Sequence, residues 1–127
     1  MPDKHLYEYA VIRIVPLVER EEFLNSGIIL FCKKAGYINV LFHLNAEKLR
    51  CFCKEIDVEQ VRTNLEAFRK IALAEPGSGP VAAFDLPSRF RWLTAVKSAV
   101  IQTSRPHPGL CTDLDETTRR LFEELVL

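Results

Sequence analysis

The sequence has no excess of either charge and no long apolar segment. It carries 17 basic and 17 acidic side chains, a balance that argues against a basic nucleic-acid coat, a polybasic membrane binder or an acidic tail. Its longest uninterrupted apolar run, Gly27 to Cys32, has six residues, which is too short for a membrane-spanning helix or the apolar region of a signal peptide. We therefore expect a cytoplasmic protein that does not bind membranes.

Several familiar functional motifs are also missing. None of the five glycines lies in a GxxxxGK[ST] or GxGxxG loop, so neither common nucleotide-binding loop is present. Carboxylates crowd only at Glu19, Glu21 and Glu22 and at Glu123 and Glu124, where they are typical of solvated surface. We expect no cofactor.

Apolar periodicity predicts three strands at the start of the chain. Apolar and polar residues alternate over 7–15 and 37–44, and the run 27–32 is apolar on both faces, as in a central strand. The connections between these segments are too short for parallel crossovers, so the strands are expected to be antiparallel. A further strand is expected over 98–103.

The remaining periodic segments predict helices over 46–53 and 58–74 and at the end of the chain. Asn45 and Asp57 are suitable N-caps for the first two, and Thr112 with Asp115 for the last. A chain of this length buries about two thirds of its surface without metals or disulfides. We predict one α+β domain over 1–127, with helices packed on an antiparallel sheet of three to four strands.

The four cysteines, at 32, 51, 53 and 111, are expected to be free thiols. A zinc site of Cys51, Cys53, His107 and Cys111 lacks the usual CxxC spacing, and residues two apart on a helix point about 200° from each other. A nucleophilic Cys111 with His107 or His43 as base has no accompanying oxyanion-hole loop. We therefore predict no metal site and no cysteine nucleophile.

The most informative segment lies between Asp85 and Asp113, where no acidic residue occurs. Guanidinium groups, hydroxyls and backbone amides together suit a phosphate or a carboxylate, so this segment is a candidate anion or acidic-partner surface. The alternative is a solvated surface that pairs with acidic residues elsewhere. The candidate residues are Arg89, Arg91, Trp92, Thr94, Lys97, Ser98, Gln102, Arg105 and His107.

The same segment offers only a fragment of a nucleic-acid platform. Phe90 and Trp92 alternate with Arg89 and Arg91, which is the interleaving of aromatic and basic residues that stacks on bases. The zero net charge and the lack of a recognisable binding module argue against nucleic acid.

Five segments together resemble a known family. They are YEYAVIRIVP at 7–16, EREEFLNSGIIL at 19–30, RWLT at 91–94, VIQ at 100–102 and HPGLC at 107–111. This combination resembles the bacterial domain of unknown function 3037. The resemblance implies a small bacterial cytosolic protein that is often encoded next to a HipA-like kinase, which favours a partner role.

The resemblance also implies a polar signature, which falls here on Arg13, Glu21, Asn25, Arg91, Thr94, Lys97, Ser98, Gln102 and His107. Lys97 stands where the family pattern has arginine. Lysine keeps the charge but lacks the bidentate fork of arginine, so this position does not fit a strict phosphate clamp.

The leading hypothesis is a non-enzymatic interaction or accessory module that binds an acidic or phosphate-bearing partner protein through the surface 89–109. Arg91, Lys97 and Arg105 would supply the charge and Trp92 a buried anchor. The alternative is a small enzyme or binder of a phosphorylated or carboxylated small molecule, with Arg91 and Lys97 holding the anion and His107 as acid or base. Some of the apolar residues also fit a homo-oligomer interface, which area arithmetic does not distinguish from a core.

Overall fold

The computed structural model describes residues 4–95 and 99–127. Its strands are β1 (His5–Ile14), β2 (Leu24–Cys32), β3 (Tyr37–Phe42), β4 (Ile101–Thr103) and β5 (His107–Cys111). Its helices are α1 (Ala46–Phe52), α2 (Val58–Ala72), α3 (Leu86–Thr94) and α4 (Leu114–Leu125), with 3₁₀ turns at Val18–Arg20 and Pro80–Ala83. No helix in the described ranges is both long enough and apolar enough to cross a membrane.

The strands form one antiparallel sheet in the order β3-β2-β1-β4, with β5 also paired to β1. β4 pairs with the end of β1, at Ile12 to Ile14, and β5 pairs with its start, at His5 to Tyr9. The two short strands therefore lie one after the other along the same edge of β1. The predicted α+β fold with an antiparallel sheet is confirmed, with five strands in place of three to four.

Helices cover both faces of this sheet. On one face, the residues Ala10, Ile12 and Ile14 of β1 pack in the cluster that contains Leu65 of α2 and Phe90 of α3. On the opposite face, apolar residues of β1 and β2 pack against α4, at Leu114 and Leu121. We call these the α2–α3 face and the α4 face. The alternation of side chains along a strand assigns each residue of β1 to one of them.

The helix α3 was not predicted from the sequence. The Asp85 carboxylate accepts the Ser88 N–H at 2.9 Å as an N-cap, and Pro87 lies in the first turn, where its missing N–H costs nothing. Phe90 and Leu93, three residues apart, are buried, and Phe90 stacks on Phe31 with ring centroids 4.8 Å apart.

The start of α4 also differs from the sequence prediction. The N-cap of α4 is Asp113, whose carboxylate accepts the Glu116 N–H at 3.0 Å, in place of Thr112. The prolines at 106 and 108 do not prevent β5. Pro108 is tolerated there because β5 lies at the edge of the sheet, where an N–H is not needed on the outer side.

Candidate functional site

Arg89, one of the predicted site residues, is held by backbone carbonyls. Its Nε donates to the Ala72 carbonyl oxygen at 3.2 Å, and a terminal guanidinium nitrogen donates to the Phe84 carbonyl oxygen at 2.7 Å. These bonds join α3 to the end of α2 and to the residue that follows the second 3₁₀ turn. Arg89 therefore has a structural role.

Trp92 and Thr94 lie on different sides of α3. Trp92 is 42% exposed and lines an apolar cavity of about 320 Å³ between α2 and α3, together with Phe68 and Val100. The Thr94 hydroxyl donates to the Phe90 carbonyl oxygen at 2.8 Å, within the helix. Neither residue faces the recess that Arg91 lines, which is described below.

Of the predicted residues after α3, those that the structure describes lie on the opposite side of the sheet or in its edge connection. Gln102 pairs with Arg13 and shares its face, the α4 face. His107 pairs with Tyr9 on the same face, with ring centroids 5.4 Å apart, and Arg105 is exposed in the β4–β5 connection. Lys97 and Ser98 lie outside the described residues.

The described part of the predicted surface is therefore divided by the sheet. Arg91 lies on the α2–α3 face, whereas Gln102 and His107 lie on the α4 face. The structure does not bring Arg91 and His107 into one pocket, as the small-molecule alternative requires.

Arg91 instead lies at the edge of an apolar patch at the start of β1. It lines a recess of about 190 Å³ with Lys33 and Leu6. Leu6 is 64% exposed, and Leu110, directly opposite it in the β1–β5 pairing, is 62% exposed. We define the Leu6–Arg91 patch as Leu6, Glu8, Lys33, Pro87, Arg91, Pro108 and Leu110.

The charged side chains of this patch form no ion pairs with other described residues. It contains two cations, Arg91 and Lys33, and one carboxylate, Glu8. The ion pairs within 4.0 Å in the described ranges involve none of the three. Nearby, hydrogen bonds from Ser88 lower the pKa of the Asp85 carboxyl, and the charges of Arg89 and Arg91 lower it further.

Sequence patterns identify only Arg91 in this patch. Leu6 lies on the same face of β1 as the buried Ala10 and Ile12, because side chains alternate along a strand. This alternation predicts that Leu6 is buried as well. Its exposure depends on where α3 lies on the sheet. Leu110 is missed because its face depends on the register of β5, which no local pattern in the sequence reveals.

The cysteines are free thiols in the structure, as predicted. Cys32 is buried in the sheet, while Cys51 is exposed on α1. Cys111 lies opposite His5 in the β1–β5 pairing, four positions from His107 along the same strand. Within residues 4–95 and 99–127, no group of three or more His, Cys, Asp or Glu side chains is arranged to hold a metal ion.

Comparison with known proteins gives one match. No curated protein and no solved structure matches the sequence significantly. A family model described as "Protein of unknown function (DUF3037)" matches residues 9–126 of the 127, which include all four helices and most of the sheet. The resemblance indicated by the five sequence segments is thereby confirmed, and the chain belongs to this family of proteins of unknown function.

Proposed function

We propose that this protein is a non-enzymatic interaction module that binds an acidic face of a partner protein through the Leu6–Arg91 patch. The observation that carries the proposal is the pair of exposed leucines, Leu6 and Leu110, side by side on β1 and β5. Adjacent exposed large apolar residues with a polar rim are characteristic of protein interaction sites.

The leucines would supply most of the affinity. Full burial of a leucine side chain contributes about 1.5–3 kcal/mol. Pro87 and Pro108 beside them have few conformations to lose on binding, so they extend the apolar contact at little entropic cost.

The charges of the patch favour an acidic partner. Arg91 and Lys33 outnumber Glu8, so a partner that carries carboxylates around an apolar side chain is complementary to it. A second copy of this chain is less complementary, because a symmetric contact would bring the same cations together. Arginine is also among the residues most often found at the energetic centre of interfaces.

This proposal changes the sequence hypothesis in two respects. Arg91 remains a binding residue, but the apolar anchor is the Leu6–Leu110 pair in place of Trp92, which lies over α2. Arg89 is assigned to stability because both of its hydrogen bonds are to backbone carbonyls of this chain.

The first partner to test is the HipA-like kinase that the family resemblance implies as a neighbour. Binding of the purified kinase to the wild-type protein would be measured by calorimetry at two salt concentrations. We expect the double variant Arg91→Glu/Lys33→Glu to weaken binding at least about tenfold, which corresponds to about 1.4 kcal/mol. The variant Leu110→Ser should weaken it similarly at both salt concentrations, since apolar contact is not screened.

The matched control is Lys70→Glu, which reverses one charge, as Arg91→Glu and Lys33→Glu each do, at an exposed position of α2 away from the patch. It should bind like the wild type. If the kinase does not bind, the same variants would be tested on partners crosslinked through a photoreactive residue at Leu110 and then purified. The proposal is overturned if no purified partner distinguishes the patch variants from Lys70→Glu.

A further inference from the structure

Among the residues that the structure describes, half-buried arginines have partners, with one exception. Three arginines are half-buried: Arg13, Arg69 and Arg89. Arg69 donates to the Glu66 carboxylate at 3.2 Å, and Arg89 donates to two backbone carbonyls. Arg13 forms neither an ion pair within 4.0 Å nor a hydrogen bond with a described residue. Because withdrawing a cation from water is costly unless it is paired, this guanidinium lacks a partner that the other two have.

The terminal nitrogens of Arg13 are the atoms that a partner can reach. One face of the guanidinium lies over the Phe23 ring, 4.1 Å from its centroid. The Nε atom is buried, whereas the two terminal nitrogens are not among the buried side-chain atoms that lack a hydrogen bond. Since they form no hydrogen bond with a described residue, they retain accessible surface. An anion therefore binds end-on to these two nitrogens and does not contact Nε.

Arg13 lies on a side of the sheet that is away from the main contacts of α4. Its side chain is on the α4 face, opposite Gln102 of β4. α4 packs mainly on β2 and β3, whereas β4 is on the other side of β1. Arg13 therefore lies beside α4 and not beneath it.

Apolar side chains are exposed next to Arg13. Phe23, whose ring carries the guanidinium, is 44% exposed. Leu125 at the end of α4 is 36% exposed, and its carbonyl oxygen accepts the side-chain N–H of Asn25, which lies directly opposite Arg13 in the β1–β2 pairing. We define the Arg13–Phe23 cluster as Arg13, Phe23, Gln102 and Leu125. Aromatic residues and arginine are both enriched in the cores of protein interfaces.

The charge of the cluster favours a carboxylate that belongs to a protein. Its single cation balances one carboxylate, but not the charge of about −2 that a phosphate group carries. The exposed apolar groups would contact the residues that flank an acidic side chain in a protein, whereas a free anion has none. Gln102 donates its Nε2 to the Ala99 carbonyl oxygen at 2.7 Å, which leaves its amide oxygen to accept a backbone N–H of the partner.

We propose that the Arg13–Phe23 cluster is a docking point for a partner protein that presents an aspartate or glutamate side chain flanked by apolar residues. The carboxylate pairs with the two terminal nitrogens of Arg13, and the flanking residues pack on Phe23 and Leu125. The cluster lies on the opposite face of the sheet from the Leu6–Arg91 patch and, at about 3.3 Å per residue, about 23 Å along β1 from Leu6. It is a separate site, and it does not depend on the proposed function.

The test compares two capped peptides that differ in one charge, acetyl-Leu-Glu-Leu-amide and acetyl-Leu-Gln-Leu-amide. Each is titrated into the full chain and followed in amide NMR spectra. We expect the glutamate peptide to bind about tenfold more tightly, because its hydrogen bonds to the guanidinium are charge-assisted on both sides. The shift changes should centre on Phe23 and Gln102, and inorganic phosphate should not displace the peptide.

Three variants test the assignment of residues. Arg13→Met should abolish the preference for the glutamate peptide without lowering the urea midpoint, because it removes a half-buried charge that has no partner in the fold. Arg13→Lys keeps the charge but not the fork, so it should retain only part of the preference. The matched control is Arg50→Met, at an exposed position of α1 that takes part in none of the ion pairs of the described ranges, and it should bind like the wild type.

Four outcomes would overturn the proposal. The first is equal binding of the two peptides, and the second is an equal loss of preference in Arg13→Met and Arg50→Met. The third is that Arg13→Met lowers the urea midpoint and weakens both peptides alike, since Arg13 would then act through the fold. The fourth is displacement of the glutamate peptide by an oligothymidylate, which would assign the cluster to nucleic acid.

Discussion

The side-chain oxygen of Ser104 accepts the N–H of Val11 at 2.9 Å, in the gap between β4 and β5. Thr103 pairs with Ile12, and His107 pairs with Tyr9. The segment from β4 to β5 therefore advances four residues where β1 advances three. β4 and β5 are therefore one strand interrupted by a bulge, and the Ser104 hydroxyl satisfies the N–H that lies at the interruption.

This bulge creates the Leu6–Arg91 patch. Thr103 shares a face with Ile12, so uninterrupted alternation would put His107 on the α2–α3 face and Leu110 on the α4 face. The extra residue reverses these assignments, so His107 lies on the α4 face and Leu110 lies on the α2–α3 face beside Leu6. The surface proposed to bind a partner thus depends on one buried hydroxyl.

Ser104→Ala should lower the free energy of unfolding by about 1–3 kcal/mol, because the buried Val11 N–H loses its acceptor. Urea denaturation followed by circular dichroism measures the change. The control is Thr63→Ala in α2, which removes a hydroxyl that donates to the Glu59 carbonyl oxygen at an exposed position. The control should change stability by less than about 0.5 kcal/mol, and equal effects of the two substitutions would contradict the structural role of Ser104.

Strands and helices with a long periodic pattern of apolar residues were predicted from the sequence. Elements that depend on tertiary contacts were not. β1 and α2 have long apolar patterns, and the Asp57 cap of α2 is a local signal. The helix α3 is short, and its pattern is only the pair Phe90 and Leu93 between a cap and a loop. In the patch, Arg91 was predicted from the charge pattern, whereas the two leucines depend on packing and on the bulge.

Gly27 of β2 is predicted to tolerate no larger residue. A Cβ atom at this position would lie 2.7 Å from the carbonyl oxygen of Leu41 and 3.0 Å from the Cβ of Phe42, both on the neighbouring strand β3. Because these atoms belong to a paired strand and cannot easily move, Gly27→Ala should cost about 1–3 kcal/mol in thermal or urea unfolding.

The control for this substitution is Gly36→Asn in the β2–β3 turn. Gly36 has a φ of 61° and no other atom within 4 Å of the position of a Cβ. Asparagine tolerates this left-handed conformation, so the control should stay within about 1 kcal/mol of the wild type. A folded Gly27→Ala protein as stable as the control would refute the close approach of β3.

Tyr37 should make the protein less stable at alkaline pH. Burial raises the pKa of its hydroxyl above the ordinary value of 10.0, and the nearby Asp115 carboxylate, which accepts its hydrogen bond at 2.8 Å, also raises it. The unfolded chain therefore loses this proton at a lower pH than the folded chain. The contribution is fully present below the unfolded-state pKa and is lost as pH rises through the raised folded-state pKa.

Urea midpoints measured between about pH 8 and about pH 11 check this prediction. Tyr37→Phe should flatten the alkaline fall in stability, although not completely, because burial also raises the pKa of Tyr7. The double variant with Tyr7→Phe should flatten it further. An unchanged alkaline slope in Tyr37→Phe would show that this hydroxyl does not titrate differently in the two states.

Substitutions of Arg89 and Arg91, which lie two residues apart on α3, should affect different properties: the first the stability of the protein and the second its affinity for a partner. Arg89→Met removes two hydrogen bonds to the Ala72 and Phe84 carbonyls and should lower the free energy of unfolding by about 1–2 kcal/mol, with partner affinity unchanged. Arg91→Met removes an exposed cation without an ion pair in the described ranges, so stability should change by less than about 0.5 kcal/mol while affinity falls. Urea denaturation and calorimetric titration of each variant measure the two quantities. If both variants lost affinity in proportion to their loss of stability, binding would report folding alone and the assignment of Arg91 to the interface would be wrong.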